Sequence, residues 1–193
     1  SLTGRWGARM GDAKMVDMVV GALHDPFQTI HMGVTAENIA AKWGITREQQ
    51  DALAVESHNR AQRATAEGRF TSQIVPVMLK SKKGEVAYAT DEHFRADCTL
   101  ADMAKLKPVF IKENGTVTAG NASGINDAAA AVVLMDASVA KARGLKPMAR
   151  LVAYAHAGVD PAYMGIGPVP ATQKALKKAG LTVNDLDVIE ANE

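Results

Sequence analysis

The sequence has only one cysteine, Cys98, which excludes an internal disulfide framework and fits a reducing compartment. It has no excess of either charge: 22 Lys and Arg against 21 Asp and Glu leave a net charge of +1. No long-range field therefore draws the chain to nucleic acid or to a membrane, and any phosphate binding is local. No uninterrupted apolar stretch approaches the roughly 18 residues of a membrane span, and no basic start followed by an apolar run marks a secretory signal. Cytoplasmic residence is the expectation that follows. Internal repeats and low-complexity tracts are missing, and so is an initiator Met. The chain opens on Ser1-Leu2-Thr3-Gly4-Arg5, which reads as mid-theme and leaves room for a cleaved presequence. What is there is ordinary for a globular protein: 193 residues, 47% hydrophobic and 22% charged, enough for one good-sized domain or parts of two.

Local signals mark out the elements. The first 34 residues, with the apolar run Met15 to Leu23, read as a loop followed by a helical turn or two, and Thr35 reads as the cap of the helix that comes next. Thr46-Arg47-Glu48-Gln49 is a capping box, and Leu53, Ser57, Ala61 and Ala64 recur at helical spacing as far as Gly68, a good stop. A long helix is predicted there. Ile74 to Leu79 reads as a strand that Pro76, lacking a donor, pushes to a sheet edge, and Lys80 to Gly84 as a solvated hairpin tip. Beyond Asp127 helices and strands alternate. Ala128 to Met135 is predicted as a buried strand with a helical lead-in. A helix capped by Asp136 ends at Gly144, and Ala149 to Ala157 forms a strand. Pro168 to Ala179 forms a helix stopped by Gly180, and Leu186 to Glu190 a last strand. This is an α/β pattern, and it implies a layered sheet covered on both faces.

The segment Thr116 to Asp127, Thr-Val-Thr-Ala-Gly-Asn-Ala-Ser-Gly-Ile-Asn-Asp, carries the most chemical information. Gly120 and Gly124 let the main chain approach something closely, while Ala119, Ala122 and Ser123 leave room and offer one hydroxyl and several N–H donors. A narrow, mildly polar ligand slot fits this pattern, and so does a tight turn into a helix capped by Asn126 or Asp127. Elsewhere the residues alone stay ambiguous. A lone His31 is more often hydrogen-bonded than catalytic, Asp91-Glu92-His93-Phe94-Arg95 reads as a solvated loop, and Gly165-Ile166-Gly167 has no Lys-Ser/Thr after it to make a phosphate loop.

Taken together, five segments resemble the thiolases, most closely the biosynthetic acetoacetyl-CoA or β-ketothiolase branch. They are His31 to Asn38, Asp91 to Phe110, Thr116 to Asp127, Met164 to Pro170 and Glu190 to Glu193, in order and with almost no change of spacing. One departure is Asn114, which adds a residue to a Glu-Gly turn. The resemblance implies a fragment of the thiolase fold: a loop domain over 1–125 with coenzyme A contacts and oligomerisation, the end of the N-terminal domain over 126–145, and the start of the C-terminal domain over 146–193.

It also implies roles for particular residues. Leu23, His31 and Met32 become walls of the pocket for the pantetheine arm and acyl group, as shape and not as acid or base. Arg95 becomes a contact to the nucleotide end of coenzyme A, with Asp91 and Glu92 orienting it. Met103, Val109 and Phe110 line the pantetheine channel, Ala119 flanks the arm, and Ser123 hydrogen-bonds one of its amides. Met164 forms the floor of the acyl pocket, where a soft side chain suits short acyl groups. Asn192 is the one residue assigned to a catalytic step, holding a water that forms an oxyanion hole with a later His.

The activity implied is acyl transfer between two acyl-CoA molecules, with coenzyme A thioesters as substrates and neither a permanent cofactor nor a metal. An acetyl group passes to a cysteine, a second acetyl-CoA loses an α-proton, and Claisen condensation gives acetoacetyl-CoA and free coenzyme A, thiolysis being the reverse. Cys98 matches neither cysteine motif, so both active-site cysteines are expected outside residues 1–193 and the chain alone is expected not to turn over. A homo-oligomer is implied, a tetramer in the intact enzyme, because Gly4-Arg5-Trp6-Gly7-Ala8-Arg9-Met10 matches the approach to the tetramer-forming loop. Two other classes stay open: a non-catalytic module that binds coenzyme A or acyl thioesters, and an oligomerisation module. More distant is a hydrolase built from Cys98 with His31, His58 or His93.

Overall fold

The computed structural model describes Gly7, Met10, Asp12, residues 15–82 and residues 84–191. The chain divides into two compact units, Ser1–Gly124 and Ile125–Glu193.

In the first unit, helix α1 (Met18–Ala22) starts at Asp17, whose carboxylate accepts the Val20 N–H at 2.8 Å. The chain then reverses around Asp25, a buried residue whose Oδ2 accepts the N–H groups of Phe27 and Gln28. The reversal pairs His24 with His31 in an antiparallel bridge. This delivers the chain to α2 (Met32–Trp43) one turn earlier than the sequence predicts. The cap is His31, whose Nδ1 accepts the Gly33 N–H at 3.0 Å. Thr35, predicted as the cap, lies inside the first turn at 2% exposure, its hydroxyl donating back to the Met32 carbonyl at 2.6 Å. Gly44, at φ 65°, ends the helix.

The long helix predicted from the capping box is α3 (Arg47–Ala66). Thr46 Oγ1 accepts from the Gln49 N–H at 3.2 Å and Gln49 Oε1 accepts from the Thr46 N–H at 2.9 Å, so two orphan donors are satisfied reciprocally. An exposed hairpin follows, β1 (Val77–Ser81) paired antiparallel with β2 (Gly84–Tyr88) in the register Val77↔Tyr88 to Ser81↔Gly84. Its first strand begins immediately after Pro76, the residue that cannot donate to a ladder. Helix α4 (Leu100–Ala104) is capped by Thr99 and packs on α3 through Met103, 3% exposed. A second bridge, Pro108 with Thr118, then lays the 108–110 stretch beside 116–118.

The second unit holds α5 (Ala137–Ala142), capped by Asp136 and followed by Gly144 at φ 65°. A 3₁₀ turn (Pro161–Ile166) leads to α6 (Pro168–Ala179), which Pro168 opens and Gly180 stops at φ 69°. Hydrogen bonds from the Ser138 hydroxyl and N–H hold the Asp136 carboxyl below the usual carboxylate range, as an N-cap requires. The three strands expected here are not formed. Ala128 to Met135, Ala149 to Ala157 and Leu186 to Glu190 have no ladder partner among the described residues, and Val132, Val133 and Leu134 are 79–86% exposed, not buried. A β-pattern becomes a strand only against a neighbour that takes up its backbone hydrogen bonds. The middle segment keeps its alternation: Ala153, Ala155, Ala157 and Val159 are half-buried while the residues between them are exposed.

A candidate coenzyme A surface

Three stretches of the first unit meet through named contacts. The His24–His31 bridge brings Leu23 beside Met32, whose N–H donates to the Leu23 carbonyl at 2.8 Å. The His31 ring stacks on Phe110, with centroids 4.7 Å apart, and meets the His24 ring edge-on at 5.1 Å. Gly33 is what permits this, because a Cβ there would lie inside the Phe110 ring. The cap bond to Gly33 occupies His31 Nδ1, so the neutral ring carries its proton on Nε2. Val109 joins through its N–H to the Val117 carbonyl at 2.9 Å, and its side chain is exposed.

The small-residue segment is fixed from beneath by side chains that no spacing along the chain groups together. Glu37, on α2 and 4% exposed, accepts the N–H groups of Thr116 and Val117 at 2.9 Å and the Thr116 hydroxyl at 2.7 Å. Asn121 accepts the Thr118 N–H at 2.7 Å through Oδ1, and its Nδ2 donates to the Thr116 carbonyl and to Asp51 Oδ1, each at 2.9 Å. Asp51, 4% exposed, also takes Arg47 Nε at 2.7 Å. Arg47 Nη2 in turn donates to the carbonyls of Met103 and Leu106. The two glycines do approach something closely, and it is protein: Met103 and Leu106 under Gly120, and the His93 ring against Gly124. With the N–H groups of Thr116 to Thr118 and of Gly120 to Ala122 bonded within the protein, the segment leaves Ala119 and Ser123 exposed, the Ser123 hydroxyl making a 3.4 Å bond to the Gly124 carbonyl. No helix follows at Asn126 or Asp127.

Arg95 is exposed, and its setting differs from the one expected. Among the described residues no ion pair joins it to Asp91 or Glu92. Helix α3 holds its loop by the backbone instead. His58 Nδ1 accepts the Arg95 N–H at 3.2 Å, and one turn on the Gln62 amide exchanges two bonds with Asp97, at 2.9 and 3.0 Å. Partial burial, then the charges of His93 and Arg95, hold the His58 imidazole below its ordinary pKa. The added residue Asn114 takes a left-handed conformation at φ 58° in its turn.

Met164 lies in the second unit, 45% exposed in the 3₁₀ turn, and Asn192 lies outside the described residues, as does most of the Gly4–Met10 segment. Cys98 is half-buried, and no cluster of three or more His, Cys, Asp or Glu able to hold a metal occurs among the described residues. Among these residues no helix is long and apolar enough to cross a membrane. A surface groove of about 480 Å³ in the second unit, lined by Ala155, His156, Lys174, Lys177 and Lys178, includes none of the site residues.

Comparison with known proteins defines the class of protein. The thiolase N-terminal domain model matches residues 1–138 and the thiolase C-terminal domain model matches residues 145–193, so the chain belongs to the thiolase family. Among particular proteins, it is 68% identical over 189 residues to the beta-ketothiolase BktB of Cupriavidus necator, covering 98% of this chain and 48% of that protein. It is 54% identical to the acetyl-CoA acetyltransferase of Rhizobium meliloti, again over 98% and 48% of the two chains. Its fold superposes on the crystal structure of the Bacillus anthracis acetyl-CoA acetyltransferase with a TM-score of 0.84 at 49% identity, over 96% of this chain and 47% of the other. For human mitochondrial 3-ketoacyl-CoA thiolase the TM-score is 0.81 at 41% identity, over 95% and 47%. The chain spans about half the length of the curated relatives it matches.

Proposed function

We propose that this chain is the coenzyme A-binding part of a β-ketothiolase that condenses two acyl-CoA molecules to a 3-ketoacyl-CoA and runs the thiolytic reverse. The observation that carries the reading is the gathering of Leu23, His31, Met32 and Phe110 beside a pinned segment that presents Ala119 and Ser123 outward. Identity of 68% to a protein named beta-ketothiolase supports it. On this reading Leu23, His31, Met32, Met103, Val109, Phe110 and Ala119 shape the channel for the pantetheine arm. Ser123 bonds an arm amide, Arg95 meets the nucleotide end, Met164 bounds the acyl group, and Asn192 serves the oxyanion.

Residues 1–125 act as the loop domain, 126–145 close the N-terminal domain and 146–193 open the C-terminal one. The acyl group passes from the coenzyme A sulfur to a cysteine other than Cys98, with release of the thiol. The intact enzyme works in the cytoplasm as a tetramer. Calorimetric titration of coenzyme A into the 193-residue chain, and into the complete gene product where that is longer, tests this. Saturable binding that Ser123→Trp abolishes is expected, whereas no binding, or binding indifferent to Ser123→Trp, overturns it.

A further inference from the structure

Two buried carboxylates of the first unit, Glu37 and Asp51, converge on one segment, Thr116–Gly124. Glu37 receives three donors from Thr116 and Val117. Asn121 bridges Thr116, Thr118 and Asp51, and Arg47 ties that carboxylate to the end of α4. Buried carboxyls are costly unless their hydrogen bonds are made, so a chain that needed only a turn would place apolar groups here. What the arrangement provides is a held backbone over 116–122 for the stretch that offers Ala119 and Ser123 to solvent.

We propose that Glu37 is a positioning residue for coenzyme A binding, acting through Thr116 and Val117, with Asn121 and Asp51 completing the hold; this rests on the coenzyme A reading above. The Glu37 side chain contacts Thr116 and Val117 from the buried side and need not touch the ligand. Its two oxygens are matched to three donors, and Glu37→Gln turns one of those oxygens into an NH₂ group facing an N–H or O–H. The backbone leading into Ala119 and Ser123 then loses part of what holds it from the buried side.

The test compares wild type with Glu37→Gln by calorimetric titration of coenzyme A, each protein also followed by thermal unfolding. We expect the Kd for coenzyme A to rise at least tenfold in Glu37→Gln at a temperature where the variant is still folded. A lower Tm with a Kd within twofold of wild type would mean a merely structural role and overturns the proposal. Should Glu37→Gln not fold, Thr116→Val, which removes one of the three bonds and keeps the shape, carries the same test. A rise in Kd of about threefold supports the proposal and no change overturns it. Failure of the wild type itself to bind coenzyme A would instead remove the coenzyme A reading, and this inference with it.

Discussion

Replacing Gly33 by Ala sets two opposed effects against each other, and the structure decides between them. Gly33 is in the first turn of α2, where Ala is the better helix former by at most about 1 kcal/mol. A Cβ there would fall inside the Phe110 ring, which already stacks on His31 at 4.7 Å. Moving the ring out costs the roughly 1–3 kcal/mol typical of overpacking, plus about 0.5–1.5 kcal/mol for a lost aromatic pair. The overlap wins, and Gly33→Ala is expected to destabilise by about 1–3 kcal/mol in urea unfolding followed by circular dichroism. In a Phe110→Ala background the obstacle is gone, and the same substitution should stabilise by up to about 1 kcal/mol. The sign change is the diagnostic result, read as a double-mutant cycle. Equal effects in the two backgrounds would refute the placement of Phe110 over Gly33.

Two further outcomes follow from charged and titratable groups. Arg47→Ala leaves the buried Asp51 with only Asn121 as a partner and frees the carbonyls of Met103 and Leu106, so it should cost on the order of 3 kcal/mol in the same assay, far more than an exposed pair such as Arg60–Glu56. His58 titrates lower in the folded chain than in the unfolded one, so between these two values the unfolded state holds more protons and stability rises with pH. Stability should therefore fall as pH drops below imidazole's ordinary value, and His58→Gln should flatten that slope; an unchanged slope would show that His58 is not its source.

The parts of this fold legible in the sequence are those whose causes are local. Helix α3 could be drawn because Thr46 and Gln49 satisfy each other within one turn and Gly68 takes φ 70° at the other end. Helix α6 is equally self-contained between Pro168 and Gly180. The start of α2 is not legible locally, because cap preferences rank Thr above His, whereas the pairing of His24 with His31, invisible in the local sequence, places the cap four residues earlier. The strands expected at Ala128 to Met135 and Leu186 to Glu190 do not form for a related reason: alternation and β-branching state a preference, and a ladder needs a partner. Within the site, the outward-facing residues follow from the family resemblance, while the side chains that hold them do not follow from any spacing. Glu37 and Thr116 are 79 positions apart, and no periodicity links them.

That separation also orders events in time. Helix α3, with its reciprocal cap, forms from contacts three or four residues apart, on the scale of about a microsecond. The bonds of Glu37 to Thr116 and of Asn121 to Asp51 close loops of 79 and 70 residues. Each doubling of loop length adds about 0.6 kcal/mol of closure entropy, and long-range contacts of this kind set the slow step of folding. The bonds that hold the surface bearing Ala119 and Ser123 are thus expected to close after the local helices, and a nascent chain cannot complete them until Asn121 has been made.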